Sequence, residues 1–173
     1  ELTAWLEARG HRFRTRSDTE VIVHAFEEWG DEAFARFNGQ FAIALWDARA
    51  NTVTFARDRL GVRPLYLCVH EGRLLFGSEV KAIFAGDPSV PRAFDARGLD
   101  ETFTFWSIVP PRSVFAGIEE LRPGHVRTYR VGDVGVARER AFWTARYPEG
   151  PDDPFRFRGS LDDAVDAVRA ALR

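Results

Sequence analysis

Residues 40–47 have the sequence QFAIALWD, and this stretch decides the fold class. Its apolar side chains alternate between two sides, with Phe41, Ile43 and Leu45 on one and Ala42, Ala44 and Trp46 on the other. Apolar residues on both sides predict a β-strand that is covered on both faces of its sheet. Three further strand patterns follow at hairpin spacing, namely TVTFARD, PLYLCVH and RLLFGS. Four consecutive strands predict an antiparallel sheet.

Helical patterns precede these four strands. Residues 17–30, SDTEVIVHAFEEWG, carry one apolar face, and Ser17 and Glu20 have the spacing of a capping box. The chain opens on the pattern of a helix end, because apolar residues at helical spacing are followed by Gly10. Between the two helices, HRFRTR alternates and predicts a short strand. A second short helix, DEAFARF, is predicted to begin at Asp31.

Helices and strands also follow the predicted sheet. Ser78 is predicted to cap a helix formed by EVKAIFA, and Asp95 to begin another in DARGLDETF. The stretches PGHVRTYRV and VARERAFW are predicted to form two more strands. Helices before and after an antiparallel sheet indicate an α+β domain in which helices pack on the sheet in layers.

The last part of the chain differs in composition. Residues 147–159 contain three prolines and two glycines, which predicts a linker after a domain formed by residues 1–146. Ser160 and Asp163 begin a helical pattern whose apolar face has nothing left in this sequence to pack on. We therefore assign residues 160–173 to the first helix of a following domain. Since the sequence contains no methionine and this helical pattern ends without a stop signal, we expect further residues beyond both ends.

Charge and cysteine content argue against several classes of protein. The 24 basic and 26 acidic residues nearly cancel and no basic cluster is interleaved with aromatics, so no nucleic-acid partner is expected. No apolar run approaches the roughly 18 to 20 residues that span a bilayer, and no secretory signal is present. We therefore expect a cytoplasmic protein without a membrane partner. The single cysteine, Cys68, excludes an internal disulfide and a cysteine-rich zinc site.

Five motifs occur together in a fixed order: SDTEVIVHAFEEWG, FNGQFAIALWD, RDRLGVRPLY, FGSEVKAIF and GIEELRPGH. In order and spacing they resemble the amidotransferase domain of glutamine-hydrolysing asparagine synthetases, class II amidotransferases with an N-terminal nucleophile. The first part of RDRLGVRPLY is shared with other amidotransferases of this group, whereas FGSEVKAIF and GIEELRPGH favour the asparagine synthetase branch. The resemblance implies a four-layer α-β-β-α sandwich of antiparallel sheets, incomplete at its N-terminus.

The resemblance also implies a reaction. In that family an N-terminal cysteine attacks the side-chain amide of L-glutamine, its own α-amino group acts as base, and N–H donors stabilise the oxyanion. The ammonia passes through a tunnel to a synthetase domain that uses ATP and Mg²⁺ to convert aspartate to asparagine. By the family pattern the cysteine lies before Glu1, so we expect no catalytic residue and no cofactor in this chain, and no glutamine hydrolysis by the chain alone. A homodimer is the implied assembly.

Two positions match the family's glutamine-binding residues. Asp18 of the SDTE motif corresponds to the aspartate that contacts the α-amino group of bound glutamine, and Ser17 lies beside it. Helix capping alone would also explain this motif. A carboxylate at a helix start is able to serve both roles, and we expect both here.

Further residues are expected to support the site rather than to contact the substrate. Arg57 and Asp58 either shape the floor of the glutamine site or form a buried ion pair between two strands, and we favour the ion pair. Gly61 and Pro64 are predicted turn residues. The last two such residues, Ser78 and Glu79, open the helix after the fourth strand pattern. The family keeps an acidic residue at the position of Glu79, near the interdomain face.

Cys68 is not expected to be a nucleophile. It alternates with Tyr66 and His70 in a predicted strand, where a buried thiol behaves as a small apolar residue. A pair of Cys68 with His70 is conceivable, but no oxyanion hole is indicated beside it. The remaining histidines show no ligand spacing with each other, so no metal site is predicted: His11, His24 and His125.

Two other functions stay open at the level of sequence. In the first, the full protein keeps this fold only as a catalytically silent scaffold, as β-lactam synthetases and lasso-peptide cyclases do. Alternatively, an amidotransferase of the same architecture amidates a different carboxylate. The residue that follows the initiator methionine separates the first alternative from amidotransfer, because only cysteine supports glutamine hydrolysis.

Overall fold

The computed structural model describes residues 1–172. Its helices are α1 (Leu2–Glu7), α2 (Asp18–Trp29), α3 (Val80–Gly86), α4 (Ala96–Phe105) and α5 (Leu161–Ala171), with a 3₁₀ helix at Gly30–Arg36. Its strands are β1 (Ala42–Asp47), β2 (Thr52–Arg57), β3 (Tyr66–His70), β4 (Arg73–Gly77), β5 (Ile118–Glu120), β6 (His125–Arg130) and β7 (Asp133–Ala141). Most predicted helices and strands are thereby confirmed.

The strands form two antiparallel sheets rather than one. The first sheet has the order β1-β2-β6-β7 and the second the order β4-β3-β5. The prediction that β1 to β4 build one sheet is therefore wrong. Strand β2 pairs with β6, and β3 pairs with β5, so the chain changes sheets between Arg57 and Tyr66. Hairpin spacing does not reveal this, because the pairing partners come from a distant part of the sequence.

Three buried clusters hold four layers together. The first lies between α1, α2, the 3₁₀ helix and the first sheet, and it comprises Leu6, Ala25, Ala33, Phe34, Phe37, Ile43, Ala56 and Val126. The second lies between the two sheets and comprises Phe55, Leu65, Leu67, Leu121 and Tyr129. The third lies between the second sheet and α3 and comprises Cys68, Ile83, Phe84, Val90 and Ile118. This arrangement confirms the predicted α-β-β-α sandwich.

Strand β1 is covered on only one of its faces. Ile43 is buried against the helices, whereas Ala42 and Ala44 are exposed and Trp46 is 53% exposed. The prediction that both faces are covered is therefore wrong for residues 1–172. The reason is position in the sheet: β1 is an edge strand, and the second sheet packs on β2 and β6.

The segment before α2 is irregular and is held by a glutamate. HRFRTR forms no strand, and the Glu20 carboxylate accepts hydrogen bonds from the backbone N–H groups of Arg14 and Thr15 and from the Thr15 hydroxyl. These bonds, first that of the Thr15 hydroxyl and then that of the Arg14 N–H, lower the pKa of Glu20 to about 2. Glu20 therefore does not close the predicted capping box with Ser17, although Ser17 Oγ does accept from the N–H of Thr19.

The last 30 described residues lie largely apart from the sandwich. Residues 144–160 form no helix or strand, and α5 begins with the predicted capping box between Ser160 and Asp163. Within the described residues, none of its side chains is buried. The division into domain, linker and following domain stays a prediction. Within residues 1–172, no helix is long and apolar enough to cross a membrane.

Candidate functional site

The N-terminus of α2 presents a free carboxylate at the surface. Ser17 is the N-cap, and Asp18 Oδ1 accepts a hydrogen bond from the N–H of Thr19 at 2.9 Å. The second carboxylate oxygen, Asp18 Oδ2, makes no hydrogen bond within residues 1–172. Asp18 is exposed, and a negative charge in the first turn of a helix is favoured by the helix dipole. Asp18 is thus held in place by one oxygen, and the other has no hydrogen-bond partner in residues 1–172.

Asp18 borders two adjoining hollows. The larger, of 880 Å³, is lined by Thr3, Glu7, Phe13, Arg14, Thr15, Arg16, Ser17, Asp18 and Val21. The smaller, of 210 Å³, is mostly apolar and is lined by Leu2, Asp18, Val21, Ile22, Phe37, Asn38, Gly39, Gln40, Phe41 and Ile43. Charges of both signs line the larger hollow, and the side chains of Arg14 and Arg16 make no ion pair in the described part of the chain. This charge distribution suits a small zwitterion.

Arg14 and Arg16 were not singled out from the sequence. The signal was present, because the two arginines immediately precede Ser17 and Asp18 in the stretch RTRSD. An alternating basic and polar stretch predicts a surface strand equally well, so the pattern alone did not favour a binding role. Only the irregular backbone, fixed by Glu20, brings both residues to the wall of the larger hollow.

Asp58 organises the turn that connects the two sheets. It is 2% exposed, and its carboxylate accepts hydrogen bonds from four backbone N–H groups at 3.0–3.2 Å: Phe41, Leu60, Val62 and Arg63. Burial alone would raise the pKa of Asp58, but these four N–H donors outweigh it and lower the pKa below its ordinary value. Since Phe41 lines the smaller hollow, Asp58 supports a wall next to Asp18.

The lowered pKa of Asp58 predicts a pH dependence of stability. A carboxyl with a depressed folded-state pKa contributes stability that is fully present above its unfolded pKa of 3.8 and is lost as the pH falls through the folded value. We expect the wild type to lose stability more steeply than Asp58→Asn between about pH 5 and about pH 2. Urea unfolding at a series of pH values measures both slopes. Equal slopes would show that Asp58 does not titrate with folding.

Arg57 joins the two sheets, although not through the predicted partner. Its guanidinium lies 2.8 Å from Glu120 of β5, so the expected ion pair with Asp58 is wrong. Adjacent residues at the end of a strand point to opposite sides, which directs Arg57 toward the second sheet and Asp58 into the turn. Arg57 also donates to three backbone carbonyl groups at 2.7–2.9 Å: Gly61, Arg63 and Leu121. Burial raises the pKa of Glu120, and the charge of Arg57 opposes this shift.

Gly61 and Pro64 shape the same turn, as predicted. Gly61 has φ +65°, and a Cβ at this position would lie 2.8 Å from Pro123 Cγ and 2.9 Å from Arg57 Cζ. Glycine therefore permits both the backbone conformation and the close approach of Arg57. Pro64 is half-buried immediately before Leu65, which packs between the sheets.

Ser78 and Glu79 lie away from Asp18. They precede α3, which packs on the second sheet, whereas Asp18 begins α2 on the first sheet. The N-cap of α3 is Glu79 and makes no side-chain capping bond, so the prediction that Ser78 caps this helix is wrong. Glu79 instead forms a surface ion pair with Lys81. These two residues belong to the opposite outer layer of the sandwich.

Cys68 is a core residue, as expected. It lies between the second sheet and α3, beside Ile83 and Phe84. Burial raises the pKa of the Cys68 thiol, and the negative charge of Asp87 raises it further. A neutral, enclosed thiol does not act as a nucleophile.

Comparison with known proteins agrees with this architecture. The family model described as a glutamine amidotransferase domain matches residues 1–143. Asparagine synthetase [glutamine-hydrolyzing] 3 of Bacillus subtilis is 38% identical over 174 residues, which is 100% of this chain and 26% of that protein. Asparagine synthetase [glutamine-hydrolyzing] 1 of the same organism is 30% identical over 100% of this chain and 27% of its own length. The chain thus spans about a quarter of these relatives.

Solved structures share the fold. The glutamine phosphoribosylpyrophosphate amidotransferase from B. subtilis, complexed with ADP and GMP, superposes with a TM-score of 0.54 at 19% identity, over 83% of this chain and 26% of that one. A structure of the allosteric regulatory enzyme of purine biosynthesis superposes with a TM-score of 0.57 at 18% identity, over the same shares of the two chains. By its sequence motifs, its four layers and the match over residues 1–143, the chain belongs to the glutamine amidotransferase domain family.

Proposed function

We propose that this domain binds L-glutamine and supplies the ammonia for the conversion of aspartate to asparagine by the whole protein. The observation that carries the proposal is the free carboxylate of Asp18 at the start of α2, in a chain whose family match runs from residue 1 to 143. The names of the two B. subtilis relatives support asparagine as the product. No specific feature of the chain favours the silent scaffold or another acceptor carboxylate.

Glutamine recognition follows from the charges around Asp18. The α-ammonium group of glutamine donates to Asp18 Oδ2, which has no other partner in residues 1–172. Hydrogen bonds between two charged groups are about twice as strong as neutral ones. Ser17 fixes the helix end through its bond to Thr19 and so holds Asp18 in position. Arg14 and Arg16, on the wall of the larger hollow, add positive charge that favours the α-carboxylate.

The remaining chemistry is assigned to other parts of the whole protein. An N-terminal cysteine attacks the amide carbon, the amide nitrogen takes a proton and leaves as ammonia, and water releases glutamate from the thioester. The synthetase domain uses ATP and Mg²⁺ to activate aspartate. The whole protein is proposed to be a cytoplasmic homodimer.

Asp18→Asn tests the proposal in the whole protein. The substitution keeps the size of the side chain and removes the negative charge, at a cost of roughly 1.5–3 kcal/mol for a hydrogen bond to a charged group. We expect KM for glutamine to rise between about 10-fold and 100-fold, because each 1.4 kcal/mol corresponds to about a factor of ten. Glutamate release at a series of glutamine concentrations gives this value.

Two controls accompany this variant. Amidation of aspartate with ammonium chloride in place of glutamine should be unchanged, because it bypasses the Asp18 site. Asp47→Asn alters a carboxylate that accepts two turn N–H groups at the surface, from Arg49 and Ala50, and should leave KM for glutamine unchanged. An unaltered KM in Asp18→Asn would exclude Asp18 as the ammonium contact.

A further inference from the structure

Two histidines and a glutamate converge beside the segment that leads into α2. His11 Nδ1 lies 3.2 Å from His24 Nδ1, and Glu27 Oε2 lies 3.3 Å from His24 Nδ1 and 3.8 Å from His11 Nδ1. The spacing of these histidines in the sequence did not indicate this cluster. His24 and Glu27 are one helical turn apart, which the sequence shows, but His11 joins them only through the fold.

The outer nitrogens of both imidazole rings face carboxylates. His11 Nε2 lies 3.2 Å from Glu28 Oε2, and His24 Nε2 lies 3.7 Å from Glu20 Oε1. A carboxylate accepts from an N–H group, so the contact with Glu28 favours the proton on Nε2 of His11, whereas His24 has a carboxylate near each nitrogen, with Glu27 Oε2 at 3.3 Å from Nδ1. When both rings carry their proton on Nε2, the two Nδ1 atoms and the Glu27 carboxylate form a group of three acceptors at short range. A cation between them removes their mutual repulsion.

The distances fit a metal ion. Zn²⁺ with ligand bonds of about 2.0–2.1 Å in tetrahedral geometry places its donor atoms roughly 3.3 Å apart. The three measured separations of 3.2, 3.3 and 3.8 Å are close to this value. Carboxylates on the outer nitrogens are the usual partners of metal-binding histidines. The His11 and His24 side chains are 15% and 17% exposed and that of Glu27 is 58% exposed, so a fourth position remains open to water.

The ligands are held in place before any metal binds. The His24 ring packs edge-on against both His11 and Phe13, with centroid distances of 5.0 and 4.6 Å. The backbone N–H of His11 donates to Leu6 at the end of α1. Such preorganisation lowers the entropy lost when the site closes around an ion.

We propose that His11, His24 and Glu27 bind a divalent transition-metal ion of the Zn²⁺ class. The bound ion connects residues 11–16 to α2. Glu20 holds the same segment, which leads into Ser17 and Asp18. Its role is structural: it stiffens the wall of the larger hollow. The proposal does not depend on glutamine hydrolysis, because the three ligands are separate from Asp18.

Cobalt binding tests this site in the purified, tag-free chain after treatment with a chelator. We expect one Co²⁺ per chain, the visible absorption of a tetrahedral Co²⁺ complex, its displacement by Zn²⁺, and an increase in Tm with either ion. Loss of a partner on the outer nitrogen of a ligand typically weakens metal binding about 10-fold to 100-fold, and Glu28→Gln should weaken Co²⁺ binding by this factor. His24→Gln and the surface substitution Glu27→Gln each remove a ligand and should weaken Co²⁺ binding by more than this factor.

The controls separate a metal site from a proton shared between the rings. His125→Ala removes a histidine outside the cluster and should leave Co²⁺ affinity unchanged. Circular dichroism of each metal-free variant confirms that it is folded, and Glu27→Gln is the decisive variant because its exposed side chain contributes little to packing. No Co²⁺ binding at millimolar concentration, or binding that is equal in wild type, His24→Gln and Glu27→Gln, would overturn the proposal. The short distance between the rings would then reflect a shared proton.

Discussion

Asp58→Ala is expected to lower the free energy of unfolding by about 3–5 kcal/mol, because several backbone N–H groups lose their acceptor at once. A buried donor without a partner costs about 1–3 kcal/mol. Four such donors meet at the Asp58 carboxylate, from Phe41, Leu60, Val62 and Arg63, and water reaches some of them after the truncation. Urea or guanidinium unfolding of both proteins near neutral pH measures the difference.

A matched control for Asp58 lies in the turn after β1. Asp47 also accepts backbone N–H groups, but only two of them and at the surface, where water replaces the carboxylate. Asp47→Ala should therefore cost no more than about 1 kcal/mol. If Asp58→Ala were no more destabilising than Asp47→Ala, the turn would not depend on this carboxylate. The Phe41 wall of the smaller hollow would then be held by other contacts.

Arg57→Met is also expected to destabilise the protein by about 3–5 kcal/mol near neutral pH, because it leaves the carboxylate of Glu120 buried without its partner. Arg57 is 5% exposed and Glu120 is 6% exposed, so water does not substitute for the guanidinium. The carbonyl groups of Gly61, Arg63 and Leu121 lose their donor in the same substitution. The link between the end of β2 and the second sheet would be weakened. Equilibrium unfolding in urea measures the loss.

The pH dependence of this variant identifies the cause. Burial raises the pKa of Glu120, and removal of Arg57 raises it further, so the folded state favours the neutral carboxyl. A raised folded-state pKa gives stability that is present below the unfolded value of 4.5 and is lost as the pH rises through the folded value. The difference between Arg57→Met and wild type should thus be smaller at about pH 4.5 than at about pH 7.

Two comparisons complete the Arg57 experiment. Arg57→Met combined with Glu120→Leu removes both charges and should recover part of the loss, because no buried charge remains. Lys81→Met breaks the exposed pair with Glu79 and should change stability by no more than about 1 kcal/mol. A difference between Arg57→Met and wild type that stays constant with pH would assign the loss to the three carbonyl groups alone.

The two substitutions concern one structural unit. Asp58 fixes the turn at the end of β2, and Arg57 fixes the passage of the chain into the second sheet. The turn that Asp58 organises requires glycine at position 61, because a Cβ there would collide with the Arg57 side chain. Through Phe41 this unit also reaches the smaller hollow next to Asp18. Arg57, Asp58 and Gly61 of the motif RDRLGVRPLY thus build the connection between the two sheets.

Properties that depend on neighbouring residues were predictable from the sequence. The spacing of apolar residues located α2 and β1 to β4, and strand patterns located β6 and β7. Side-chain caps located the starts of α4 at Asp95 and of α5 at Ser160, whereas α3 was located although its predicted cap at Ser78 was wrong. Local backbone preferences and the spacing of apolar side chains fix such elements within a few residues. The order of five motifs likewise identified the family, and with it the four-layer sandwich.

The sequence by itself therefore determined the family, the layered fold and most helices and strands, because each is encoded in short stretches of residues. Only the tertiary structure decided which strands pair, that Arg57 binds Glu120 rather than Asp58, that β1 leaves Trp46 exposed, and that His11 meets His24. Each of these depends on residues that are far apart in the sequence or on position within a sheet. Such contacts are set by packing of the whole chain, and no local pattern records them.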